Sequence, residues 1–127
     1  MPAPSDWPTS EPAPRDEAEL EQRLARPSAA LMAALARVPG DLLVLGAGGK
    51  MGPSLARLAK RADPRRRVVA VSRWSNASAA ALLAADDVET IGADLLDPRA
   101  LDTLPDAPNI VFMAGQKFGT AGNPAAT

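Results

Sequence analysis

The sequence predicts a doubly wound parallel α/β sheet, preceded by a short helical extension. Three observations carry this. Short apolar runs recur at residues 41–45, 68–71, 88–91 and 110–113, without the alternation of a half-buried strand. Helical segments fall between them, so the order from residue 41 onward is β-α-β-α-β-α-β. A glycine-rich turn joins the first strand to the first of these helices. With right-handed crossovers and a reversal after the third strand, the expected sheet order is 3-2-1-4, with helices on both faces.

Each element has a local reason. Five of the 13 prolines lie in residues 1–14. Proline lacks an N–H and fixes φ, so residues 1–15 are expected to form a loose, disordered tail. Residues 16–40 are expected to form a helical extension. Its first helix spans 16–25, with Leu20 and Leu24 four apart, and Pro27 ends it. Ser28 is the expected N-cap of the second, with Leu31, Leu35 and Val38 on one stripe and Pro39-Gly40 as its stop. This extension carries no assignable chemistry, and covering the sheet is its expected role. Residues 41–127 form the partial α/β domain. Asp41-Leu42-Leu43-Val44-Leu45 is the first strand and Val68-Val69-Ala70-Val71 the second. Val88 to Ile91 and Ile110-Val111-Phe112-Met113 are the third and fourth. The intervening helices are expected at 51–62, at 76–85 behind a Ser75 or Asn76 cap, and at 98–103 behind Asp97 with Pro98 at the first helical position.

Composition excludes several chemistries. The 127 residues contain no Cys, no His and no Tyr. Disulfides, thiolate nucleophiles, His bases and Cys- or His-ligated metals are therefore excluded, and no metal site is expected. Net charge is −1, which gives no reason to expect a nucleic-acid partner or an anionic membrane. No run reaches the ~18 apolar residues of a membrane span, and the N-terminus has no secretory pattern, so the cytoplasm is the expected location. Charge is uneven, however. Residues 50–73 hold eight bases and one acid, the pattern of an anion site or of a solvated helix face.

The sharpest signal is Gly46-Ala47-Gly48-Gly49-Lys50-Met51-Gly52. A glycine turn between a buried strand and a helix is where a Rossmann-type fold binds a dinucleotide pyrophosphate. One glycine permits the tight turn, one admits the phosphates to the backbone, and one lets the helix pack on the sheet. The spacing fits G-x-x-G-x-x-G at Gly46, Gly49 and Gly52, and equally G-x-G-x-x-x-G at Gly46, Gly48 and Gly52. A tight turn without a ligand is the plainer alternative.

After the second strand comes Ser72-Arg73-Trp74-Ser75, with no acid to hold a ribose 2′-hydroxyl. Arg73 is suited to a 2′-phosphate, and Lys50 adds positive potential, so NADP is expected over NAD. Arg73 as an ordinary surface arginine is the competing view. Trp74 has two readings, an adenine stack or an exposed loop side chain, and the second is favoured. After the third strand, Asp94 and Leu95 are placed at the adenine end, with Asp94 as a plain helix-start acid in the other reading. Ala114 and Gly115, ending the fourth strand, leave room for the ribose and nicotinamide or merely pack the strand end.

These residues resemble the NAD(P)-dependent epimerase/dehydratase family, the extended branch of the short-chain dehydrogenases/reductases. The likeness covers residues 41–119: the glycine turn, the Arg73 position, the Asp94-Leu95 pair with Asp97, and Ala114-Gly115. Leu45 stands where that family usually has Thr or Ser. The glycine run also looks like the start of the dihydrodipicolinate reductases, which fit the Asp94 region and the fourth strand less well. The resemblance implies an NAD(P)-dependent oxidoreductase, epimerase or dehydratase acting on a small-molecule substrate. Its chemistry rests on a Tyr-x-x-x-Lys pair beyond the fourth strand. With no Tyr here, the chain is expected to be an N-terminal fragment with no catalytic residue and little or no cofactor binding or turnover of its own. Its open fourth strand favours self-association, hence a homo-oligomer. Lys117 is the one lysine expected near the nicotinamide end. A non-catalytic dinucleotide-sensing module is the alternative from another class.

Overall fold

The computed structural model describes residues 11–115. Two helices, α1 (Glu17–Leu24) and α2 (Ala29–Ala36), precede the alternating unit. That unit runs β1 (Leu42–Leu45), α3 (Gly52–Ala62), β2 (Val68–Ser72), α4 (Ala77–Ala85), β3 (Glu89–Gly92), α5 (Pro98–Asp102) and β4 (Asn109–Phe112). The sheet is wholly parallel in the order β3-β2-β1-β4, as the sequence predicts. Val44 lies level with Ala70 on one side and Val111 on the other.

The helix starts follow sequence chemistry. Asp16, Ser28, Asn76 and Asp97 each turn a side-chain oxygen onto the first N–H groups of α1, α2, α4 and α5. Helix α3 has no side-chain cap.

Two apolar layers sandwich β1 and β2, whose residues are nearly all buried. On one face Val44, Val68 and Ala70 meet Ala56 and Ala59 of α3 and Leu83 of α4. On the other, Leu43, Val69 and Val71 meet Leu95, Leu104 and Ala107 around α5. This second cover is short. The unbroken apolar run of β4 predicts a strand buried on both faces, and the structure differs: Val111 and Met113 pack against the α3 side, but Ile110 and Phe112 are 58% and 67% exposed. Helix α5, on this face, has only five residues, and a cavity lies between it, its following loop and Ile110. Strand β3 is likewise largely exposed, as the other margin.

The helical extension also lies elsewhere than expected. Helices α1 and α2 pack on the outer side of α3, not on the sheet. Leu20 and Leu24 remain exposed, while Ala25 at the end of α1 is fully buried, and polar bonds join the extension to α3. Glu21 accepts from Ser54 Oγ at 3.3 Å, and Arg61 donates to Gln22 at 2.9 Å. Residues 11–15, read from sequence as part of a loose tail, lie along α1, with Glu11 paired to Arg26 at 2.8 Å. Residues 1–10 lie outside the described residues.

Most of the basic block is tied into the fold. Arg57 is 2% exposed and donates to Asp86 at 2.6 Å. Arg66 donates to the carbonyls of Gly40 (2.6 Å) and Leu35 (2.8 Å) and pairs with Asp63, while Arg67 pairs with Glu89. The expected solvated helix face is therefore mainly a set of internal ties between elements.

Candidate functional site

The reversal in strand order falls between β1 and β4, where an open parallel sheet has its crevice beyond the strand C-termini. A cleft of about 300 Å³ lies there. Every strand end contributes to it. Gly46, Gly48, Gly49, Lys50, Met51 and Gly52 follow β1; Ser72, Arg73 and Ser75 follow β2. Ala93 and Leu95 follow β3, and Met113, Ala114 and Gly115 follow β4. The ladder is carried past the strands into these ends: Ala47 N–H donates to Val71 (3.0 Å), Ala93 N–H to Ser72 (2.9 Å) and Met113 N–H to Leu45 (2.8 Å). The walls are thus held by backbone bonds.

The turn after β1 shows why it is glycine. Gly46 has φ +80°, and a Cβ there would stand 2.5 Å from the Ala114 nitrogen, inside the β4 end. Gly52 is buried at the α3 start, and its Cβ would lie 2.6 Å from the carbonyl carbon of Ala47. A Cβ on Gly48 would run into the Ser72 hydroxyl. Gly49 differs: the nearest atom to its Cβ, chain neighbours aside, is the Gly46 oxygen at 3.8 Å, so nothing among the described residues excludes a side chain there. Backbone contacts therefore require glycine at 46 and 52, and at 48 the Ser72 side chain would have to move, which favours the G-x-G-x-x-x-G spacing. Gly49 is left as the bare backbone facing the cleft.

The α3 N-terminus opens onto the same space without a side-chain cap, whereas the other four described helices have one. Pro53, at its second position, has no N–H, and the remaining unbonded N–H groups of this first turn are suited to an anion. Lys50 and Arg73 line the cleft and bring positive charge to two sides of it. This donor set fits a diphosphate.

The remaining residues separate. Asp94 does not line the cleft, although Ala93 and Leu95 on either side of it do. Its Oδ1 accepts from the Leu96 N–H at 2.9 Å, and its carbonyl accepts from Asp97 N–H, so it shapes the turn before α5. Ser72, Ser75, Ala93 and Met113 line the cleft without having been singled out as ligands. The two serines were legible only as neighbours of Arg73. Trp74 is not the exposed loop side chain favoured from sequence. It is half-buried, packs against the α3-side core and donates its indole N–H to the Ile91 carbonyl at 2.9 Å. Its φ of +52° places a bulky residue in the left-handed region, a conformation costing about 1–3 kcal/mol that only strong surrounding contacts sustain. Lys117 lies outside the described residues.

Fold and cleft together define a Rossmann-like nucleotide-binding module. Residues 42–126 match the model of the NAD dependent epimerase/dehydratase family, and the chain belongs to that family. Membership carries the family's NAD(P)-binding Rossmann-like module. Searches of curated proteins and of solved structures returned no match. Among the described residues, no helix is long and apolar enough to cross a membrane.

Proposed function

We propose that this chain is the cofactor-binding part of an NADP-dependent oxidoreductase, epimerase or dehydratase acting on a small-molecule substrate in the cytoplasm. The observation that carries it is the shared cleft, in which the glycine turn, the uncapped start of α3 and Arg73 face one space. In this reading residues 41–127 hold the dinucleotide and residues 16–40 brace α3 from outside, with residues 11–15 laid along α1.

The roles follow from position. The turn at Gly46, Gly48, Gly49 and Gly52 and the first N–H groups of α3 receive the pyrophosphate, with Lys50 and Met51 at its rim. Arg73 meets the adenosine 2′-phosphate, where an acid would instead select the free hydroxyl. Leu95 bounds the adenine end, with Asp94 ordering the turn beside it; Ala114 and Gly115 leave space for the nicotinamide ribose. When bound, the nicotinamide supplies hydride exchange with a carbinol or carbonyl carbon. The chain itself has no Tyr or His to move the accompanying proton. That absence also supports a second reading, in which the module binds the dinucleotide as a sensor and performs no chemistry.

Cofactor preference tests the proposal. In the full-length protein, NADP is expected to bind at least about tenfold more tightly than NAD, the worth of one charge-assisted contact of roughly 1.5–3 kcal/mol. Arg73→Asp is expected to abolish or invert that ratio, as read by titration calorimetry. Equal affinities in the unmodified protein would reduce Arg73 to a surface residue. Detection of turnover with carbonyl or sugar-nucleotide substrates separates the enzyme from the sensor.

A further inference from the structure

We infer that Trp74 is a positioning residue for cofactor selectivity, holding the Arg73 loop against the sheet so that Arg73 is presented to the cleft. The inference rests on the assignment of Arg73 to the 2′-phosphate and extends it to a residue that does not touch the cofactor.

The loop after β2 divides by direction. Ser72, Arg73 and Ser75 line the cleft, whereas Trp74 does not. Trp74 turns inward to pack on the α3-side core, and its indole N–H spans to the Ile91 carbonyl of β3 at 2.9 Å. Its own backbone N–H donates to Ser72 Oγ at 3.3 Å, closing a small ring around Arg73. The φ of +52° sets the chain direction between Arg73 and Ser75. A loop free to relax would not keep a tryptophan in that conformation. The loop also abuts the phosphate turn, because a Cβ on Gly48 would lie 3.0 Å from Ser72 Cβ and 3.9 Å from Trp74 Cε3. The indole thus joins three parts: the end of β3, the arginine loop and the glycine turn. Arginine has many rotamers, and ordering its backbone beforehand lowers what a phosphate contact must overcome.

The discriminating quantity is the ratio of NADP to NAD affinity, because both cofactors share every contact except the 2′-phosphate. Trp74→Phe keeps a ring and loses the N–H. Trp74→Gly adopts φ +52° without strain and loses both ring and N–H. Each is measured by calorimetry in the full-length protein, alone and combined with Arg73→Ala. The expected result is a fall of about threefold or more in the ratio for Trp74→Phe, and a ratio near unity for Trp74→Gly, with NAD affinity held within about twofold. Adding Trp74→Gly to Arg73→Ala should change the ratio no further, since coupled residues are non-additive. Trp74 variants that weaken both cofactors equally, or leave the ratio unchanged, overturn the inference while Arg73→Ala still collapses the ratio. An unmodified protein with no preference, indifferent to Arg73→Ala, overturns the Arg73 assignment and this inference with it. Should Trp74→Gly fail to fold, the ratio for Trp74→Phe decides alone.

Discussion

Asp86→Ala is expected to destabilise the protein by about 3 kcal/mol or more, whereas Arg57→Met is expected to cost about 1 kcal/mol or less. The asymmetry comes from burial. Arg57, on α3, is 2% exposed, and Asp86 closes the end of α4. The guanidinium Nε donates to Asp86 at 2.6 Å; among the described residues Nη1 is buried without a hydrogen-bond partner, with Glu21 at 3.9 Å. Removing Asp86 strands a buried cation. Removing Arg57 leaves Asp86 still paired with Arg61 at 3.1 Å, relieves the unpartnered Nη1, and lets methionine fill the space of the aliphatic stem. Urea unfolding of both variants reads the difference. Losses below about 1 kcal/mol for both variants would mean that the pair acts as a solvated surface bridge, not as an internal tie between α1, α3 and α4.

The same carboxylate sets a pH dependence. Burial would raise the Asp86 pKa, but the hydrogen bonds from Arg57 and Arg61 outweigh burial and hold it below its ordinary value of 3.8. A carboxyl whose pKa is depressed on folding stabilises the folded state above the unfolded pKa. That contribution is lost as pH falls below 3.8 through the lower folded value. Acid unfolding of the unmodified protein should therefore gain a contribution in that window which Asp86→Ala lacks. Superimposable acid limbs for the two proteins would count against the assignment.

Why some features were legible and others not is a matter of range. Caps at Ser28, Asn76 and Asp97 are local, because each side chain bonds N–H groups two or three residues on. The strand order follows from chirality and from the position of the glycine turn, so it too is written in short stretches. Burial is not local. Leu42-Leu43-Val44-Leu45 and Ile110-Val111-Phe112-Met113 look alike as text. One has a neighbour on both sides, and the other pairs only with β1 among the described residues. Trp74 shows the same limit, since its partner Ile91 belongs to a strand that only the folded sheet brings alongside. The ties of the basic block are hidden from the sequence for a related reason: Asp86, Glu89 and Gly40, which engage it, are distant along the chain. Asp94 has the sequence position of an adenine-end residue after β3, yet its side chain is turned to Leu96 N–H, a choice that depends on the turn geometry before α5.

Gly46→Ala and Gly49→Ala are expected to fail in opposite ways. At Gly46, φ of +80° and an Ala114 nitrogen 2.5 Å from the new Cβ act together. The backbone conformation costs alanine about 1–2 kcal/mol, and overpacking against the β4 end adds about 1–3 kcal/mol. A loss near 3 kcal/mol, about a 10 °C or larger fall in Tm for a chain this size, is the expected result. At Gly49 the nearest described atom beyond its chain neighbours lies 3.8 Å from the new Cβ and the φ is not left-handed, so alanine is accommodated and stability should hold or rise slightly. Its methyl instead enters the cleft where backbone must meet phosphate. One charge-assisted N–H contact, about 1.5 kcal/mol, then weakens dinucleotide binding by about tenfold for NAD and NADP alike. Thermal melting with calorimetric titration separates the two effects. The equal penalty on both cofactors sets Gly49 apart from Arg73, whose substitution should alter NADP alone. If Gly49→Ala left both affinities intact, the diphosphate would have to approach from another side of the cleft. The uncapped start of α3 would then need a different explanation, because Gly49 is the one glycine of the turn that the folded chain does not itself require.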